Sequence, residues 1–366
     1  MPPVARPARL ARFVIACAAL AAAGATQALN INYTFLPGTS EQAQQAIRMA
    51  GAEWTSVIKT DVTLTLDFES GLRLSSGLLG TTKSMYLDMY YGEFRSRLAQ
   101  GSTSAADAIA VASLPGGANF GRLINLTADN PAGAGSATPY VDPGRTTVHL
   151  SAANARALGL QFQGNESPGC AAACDARIDI SNRYAYDYDP TDGITPGTFD
   201  FVGIVRHEIG HALGFVSGVD SLDLASTLRP AGSFTAVTAL DLFRYSSLSA
   251  ASHVIDFTAD ARHKYLSIDG GATMGPEFAE GEVHGDGAEA SHWKDGSGIG
   301  VMAPYIEQGV ADSRITSADL LALDVIGWTT VSAVPEPAPV ALFALGLAAI
   351  AGLRLGRRRG PSRMAA

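Results

Sequence analysis

The segment His207-Glu208-Ile209-Gly210-His211, continued by Ala212-Leu213-Gly214, constrains this chain more than any other stretch. Residues four apart share a helical face, so on a helix His207 and His211 direct both imidazoles at one point while Glu208 stands beside it. The surrounding Phe201, Val202, Ile204, Val205, Ile209, Ala212 and Leu213 leave no polar face, which demands a helix buried on most sides. Thr198 or Asp200 can cap its start, and Gly214 can end it and turn the chain. Two imidazoles and a carboxylate so arranged form the first half of a zinc-peptidase site. A catalytic zinc takes three protein ligands and leaves one position open, so the rest of the chain must supply a third.

A length of 366 residues with 47% hydrophobic residues allows a sizeable core and one or two domains. Only 17% of residues are charged, which argues against long disordered charged tracts. Both ends read as processing segments rather than fold. Arg6, Arg9 and Arg12 precede an apolar run over 13–23 and then small residues, the pattern of a signal peptide over 1–28, with a membrane anchor as the alternative. At the other end Val334-Pro335-Glu336-Pro337 leads into an uncharged stretch, 338–353, and then Arg354 and Arg357-Arg358-Arg359. Sixteen apolar or small residues are marginal for a membrane span, and the basic cluster would stay cytoplasmic.

Without these ends, 18 basic residues face 34 acidic ones, a net charge of −16. So acidic a body is a poor nucleic-acid binder. Of the three cysteines, Cys17 lies in the leader, and Cys170 and Cys174 are spaced C-x3-C. In an exported chain this spacing reads as a small-loop disulfide; zinc binding is the alternative, with no further cysteine to complete a thiolate site.

The body opens with an alternating run over 29–36, a helix from Thr39 or Ser40 to about Ile58 and a strand over 62–68. A helix near 91–98, a short helix over 152–158 and a strand over 177–186 follow, while 101–145 is rich in Gly, Ser, Ala and Pro and carries little pattern. Asp187, Asp189 and Asp192 place three carboxylates in one short turn, where calcium or simple turn capping are both open readings.

For the third zinc ligand the chain offers several residues. Ser217, three residues after Gly214, is a poor ligand; Asp220 follows three further on. His284 lies in a polar loop, and a distal glutamate is a further option. His149, His253 and His263 have no metal-like spacing. His292 stands in Ser291-His292-Trp293, ten residues before Met302 in Gly300-Val301-Met302-Ala303-Pro304-Tyr305.

This last arrangement resembles the leishmanolysin-like branch of the metzincin zinc peptidases, in which an insertion separates the H-E-x-x-H-x-x-G segment from a third histidine and a methionine turn follows. The resemblance covers about 198–328, including a closing segment over 315–328. It implies an α+β, metzincin-like fold: a mixed sheet with helices in an N-terminal subdomain over 29–214, and an irregular, partly helical C-terminal subdomain over 215–332. It further implies His207, His211 and His292 as zinc ligands, Glu208 as general base and Met302 as the floor beneath the metal. Tyr305 is either an oxyanion donor or an ordinary tyrosine. The tail over 333–366 resembles the PEP-CTERM sorting signal of Gram-negative bacteria. That resemblance implies export to the envelope or beyond, transient membrane contact and an exosortase-type partner. The expected activity is zinc-dependent endoproteolysis of a peptide or protein substrate. The alternative is a non-catalytic surface or biofilm-matrix protein that keeps the fold.

Overall fold

A computed structural model describes residues 28–161, 169–227, 236–311 and 313–331. Nearly all of the leader and the whole of the sorting tail fall outside the described residues. Among those described, no helix is long and apolar enough to cross a membrane. The described residues up to Thr330 form one compact unit.

In chain order the elements are β1 (Asn30–Phe35), α1 (Glu41–Val57), β2 (Thr63–Leu72), β3 (Gly80–Ser84), β4 (Tyr86–Tyr90), α2 (Tyr91–Gly101), α3 (Ala105–Ser113), β5 (Phe120–Ile124), β6 (Tyr140–Arg145), β7 (Thr147–Ser151), α4 (Ala152–Ala157), β8 (Ala176–Ser181), β9 (Tyr186–Asp187), β10 (Phe199–Asp200) and α5 (Phe201–Leu213). They continue with α6 (Val219–Ala225), β11 (Arg244–Tyr245), α7 (Ser247–Ala251), β12 (Ile255–Asp256), β13 (Lys264–Leu266), β14 (Glu277–Phe278) and α8 (Ser317–Asp324).

Alternation at Leu64, Leu66 and Phe68 gives β2 one apolar face, and Ala176, Ile178 and Ile180 do the same for β8. These strands form a sheet in the order β1-β2-β8-β3. β1, β2 and β8 run parallel, and β3 lies antiparallel to β8 at one edge. Two helices cover the apolar face. α1 starts at Ser40, whose hydroxyl accepts from the Ala43 amide, and buries Ala43, Ala46, Ile47, Ala50 and Trp54. α5 is capped by Asp200, whose carboxylate accepts from the Gly203 amide 2.8 Å away, and ends at Gly214 in the left-handed conformation, φ 114°.

α5 is the buried centre of the molecule, and its carbonyls are tied to distant parts of the chain. Trp54 Nε1 donates to Arg206 O at 2.9 Å, Trp328 Nε1 to Leu213 O at 2.8 Å and Ser151 Oγ to Ala212 O at 3.1 Å. All three tryptophans of the chain are fully buried.

The region after Gly214 is less regular, with the small sheet β11-β13-β14, the parallel pairing of β12 with β5, and α8 closing it. The architecture is thus mixed, with helices and several sheets, compatible with the α+β expectation. Several details differ from the sequence reading, among them β3, β4 and β7, to which it assigned no element. The strand expected over 177–186 is two, because the chain turns at 182–185 and the Asn182 side-chain amide donates to Gly71 O. The unpatterned stretch 101–145 contains α3, β5 and β6; α3 is alanine-rich and held by a reciprocal cap between Ser104 and Asp107.

Candidate metal centre and active site

The one-turn spacing on α5 places His207 and His211 together, and the loop after β14 brings His292 to them. The ring centroids lie 4.6, 5.1 and 5.0 Å apart for the pairs 207–211, 207–292 and 211–292. Each Nδ1 sits against a backbone carbonyl: His207 on Val301 O at 2.7 Å, His211 on Phe215 O at 2.7 Å, His292 on Glu289 O at 3.2 Å. A carbonyl only accepts, so Nδ1 carries the proton in each ring and a neutral imidazole presents an Nε2 lone pair. Those lone pairs face one another: His207 Nε2 lies 3.0 Å from His211 Nε2 and 3.2 Å from His292 Nε2.

Burial drives all three imidazoles toward the neutral form. It lowers the His207 pKa, takes His211 to about 3 with the help of His207, and puts His292 well below the ordinary histidine value. Three converging acceptors without a proton between them repel one another unless a cation lies at their focus. The donor set fits zinc: tetrahedral bonds of ~2.0–2.1 Å would separate nitrogens by roughly 3.3 Å. Among the described residues, the clusters with metal-compatible donor atoms are this triad and Asp67 with Cys170 and Cys174. In the second cluster the cysteines form a disulfide, and Asp67 accepts from the Ala171 amide at 2.7 Å.

Glu208 is 5% exposed. Its Oε2 accepts from the Thr82 hydroxyl at 2.6 Å. Burial pushes the carboxyl up to about 8, the Thr82 hydrogen bond opposes this, and the charges of Glu289 and Asp179 add to it. A Cβ at Gly80 on β3 would stand 2.5 Å from Glu208 Oε1, so only glycine lets the edge strand come this close.

Met302 is fully buried beneath α5. A Cβ on Gly210 would lie 2.3 Å from its sulfur, which explains the glycine inside the helix. The loop carrying His292 is fixed on both sides. Trp293 stacks on Phe278 at 4.9 Å, its backbone amide donates to Met302 O at 2.9 Å, and its Nε1 donates to Asp319 Oδ1 at 2.8 Å. Asp319 Oδ2 also accepts from the Val301 amide at 3.2 Å. One carboxylate on α8 therefore anchors the residues beside both His292 and Met302.

The other candidates sit elsewhere. Asp220 accepts from the Ala290 and Ser291 amides and from the Ser291 hydroxyl, so it holds the His292 loop rather than joining the triad. Ser217 donates to Asp241 Oδ1 at 2.6 Å. His284 pairs with Asp223 at 2.9 Å, His149 with Asp88 at 2.8 Å and His263 with Glu277 at 3.4 Å. Tyr305 is 59% exposed and donates to Gly287 O at 3.0 Å. In the acidic turn, Asp187 accepts from the Asp189 and Thr195 amides and Asp189 from the Thr191 amide, the hydrogen bonds of turn capping.

The triad and Glu208 line a cleft of about 950 Å³. One wall is β3 with the loop before it, including Leu78 and Leu79; the other includes Glu289, Pro304, Tyr305 and Ile306. Thr82, Gly80 and Asp319, and the role of Asp220, escape a reading of the sequence because their contacts with the site span tens to more than a hundred residues and follow no short spacing. The one local signal is a polar residue, Thr82, at an inward position of the sheet. No family model, no curated protein and no solved structure matches this chain.

Proposed function

We propose that the protein is an exported zinc-dependent endopeptidase. The observation that carries the reading is the convergence of three unprotonated Nε2 atoms beside a buried carboxylate, at the bottom of a cleft open to a chain-like substrate. A zinc ion held by His207, His211 and His292 would supply Lewis acidity and make water acidic enough to attack near neutral pH.

The chain's own groups do the rest. Glu208 accepts the proton of the attacking water and returns it to the leaving amine. The carbonyls of Val301, Phe215 and Glu289 fix the ring orientations and keep the proton on Nδ1. β3 pairs with β8 on one side, and its other side borders the cleft, so an extended peptide can add to it through backbone hydrogen bonds. Such recognition reads main chain rather than a particular side chain, as an endopeptidase requires.

The Cys170–Cys174 disulfide supports an oxidising compartment, in keeping with export through the leader and with an exosortase-type enzyme acting on the tail at the membrane. The test is a pair of measurements on one variant. Glu208→Ala should retain zinc and lose hydrolysis of an unstructured protein such as casein. Full activity in that variant would remove Glu208 from the chemistry.

A further inference from the structure

We infer that Thr82 is a positioning residue for the general base: its hydroxyl holds the Glu208 carboxylate in the orientation that receives the proton of water. The inference rests on the peptidase reading and adds to it a residue 126 positions away in sequence.

On the face turned toward α1 and α5, the register pairs Phe68 with Ile178 and Ile178 with Thr82, and Leu66 with Ala176 and Ala176 with Ser84. That face is apolar on β2 and β8, with Leu64, Leu66, Phe68, Ala176, Ile178 and Ile180 all at most 1% exposed. On β3 the same face carries Gly80, Thr82 and Ser84, which line the cleft, and half-buried Thr82 turns its hydroxyl to Glu208 where valine would suit the strand equally well.

Thr82 Oγ1 lies 2.8 Å from Glu208 O and 2.6 Å from Glu208 Oε2. A hydroxyl has one hydrogen to donate. The carboxylate is the closer acceptor and, when ionised, the stronger one, because hydrogen bonds to charged groups are shorter and roughly twice as strong as neutral ones. Glu208 has no other side-chain hydrogen-bond donor among the described residues, so this contact decides where Oε2 points.

Gly80, two residues earlier on the same side of β3, leaves Oε1 the room that any Cβ would fill. One oxygen is thus held by Thr82, and the other lies against Gly80 on the cleft side. The edge strand shapes both ends of the carboxylate.

The experiment compares Thr82→Val, which keeps shape and burial, with Thr82→Ser, which keeps the hydroxyl, in the full chain loaded with zinc. For Thr82→Val we expect kcat lower by roughly 10- to 100-fold, the worth of one hydrogen bond to a charged group, with KM and zinc content near the parental values. Thr82→Ser should return kcat to within about threefold of the parent. A readout independent of turnover is the carboxyl carbon signal of Glu208 in metal-free protein labelled at glutamate, assigned by its loss in Glu208→Gln. It should move in Thr82→Val and return in Thr82→Ser. Should Thr82→Val fail to fold, Thr82→Ala removes the same hydroxyl with less bulk, and it should lower kcat and move the same signal.

Parental kcat in Thr82→Val, a Thr82→Ser variant as slow as Thr82→Val, or an unmoved Glu208 signal would each overturn the inference. If instead the parent and Glu208→Gln are equally inactive while the signal moves as expected, Thr82 positions the carboxylate and it is the peptidase reading that fails.

Discussion

Met302 fits into the space left by the missing side chain of Gly210: a Cβ there would stand 2.3 Å from the methionine sulfur. The contact joins the middle of α5 to the segment whose Val301 carbonyl orients His207. Geometry at the triad therefore depends on packing one layer below it.

Gly210→Ala should destabilise the protein even though alanine is the better helix former. The methyl group must displace Met302 in a filled core, at a cost of about 1–3 kcal/mol. Urea unfolding of parent and variant measures it. A stabilised variant would show that the helix interior tolerates the volume and that Met302 is free to move.

Asp319→Ala should be among the most damaging changes far from the triad. The carboxylate is fully buried and accepts from Trp293 Nε1, the Val301 amide and the Thr316 amide and hydroxyl. Removing it strands several buried donors, at roughly 3 kcal/mol or more. Zinc affinity should fall by about 10- to 100-fold, because Val301 carries the carbonyl that orients His207 and Trp293 adjoins His292. Denaturation and competition with a chelator measure the two effects separately.

Trp54→Phe should cost about 1–2 kcal/mol through the lost hydrogen bond to Arg206 O, with little change in zinc content. A thermal or urea melt beside metal analysis checks both halves.

The stability of metal-free protein should carry a pH signature from Asp220. Burial, with the charge of Glu289, pushes its carboxyl up to about 7, against the hydrogen bonds from Ser291 and Ala290. The folded pKa then lies above the unfolded value of about 3.9, so the folded state binds the proton more tightly. The Asp220 contribution is most favourable below about pH 4, weakens as pH rises toward 7 and is level above that. In Asp220→Asn the stability difference between pH 5 and pH 8 should shrink in unfolding experiments. An unchanged difference would place the pH dependence on other groups.

What the sequence disclosed follows from the range of each interaction. α5 was legible because its determinants are local: apolar residues on every side, Asp200 at the start and Gly214 at the end. The same holds for α1, whose period and Ser40 cap lie within one segment. His292 carries no spacing relation to His211; its place beside a tryptophan and ahead of a methionine singled it out only through resemblance. Thr82 and Asp319 were not legible, since a strand and a helix meet them through tertiary packing alone. Asp220 was visible as a carboxylate near the motif, but its task of holding the His292 loop depends on two amides 70 and 71 residues away.

The most direct test of the central claim is zinc binding to the purified body of the protein and to His292→Ala, measured by titration against a chelator of known affinity. One zinc per parental chain is expected, with a loss of at least about 100-fold in affinity when the third imidazole is removed. A His292→Ala variant that binds one zinc as tightly as the parent would contradict that claim.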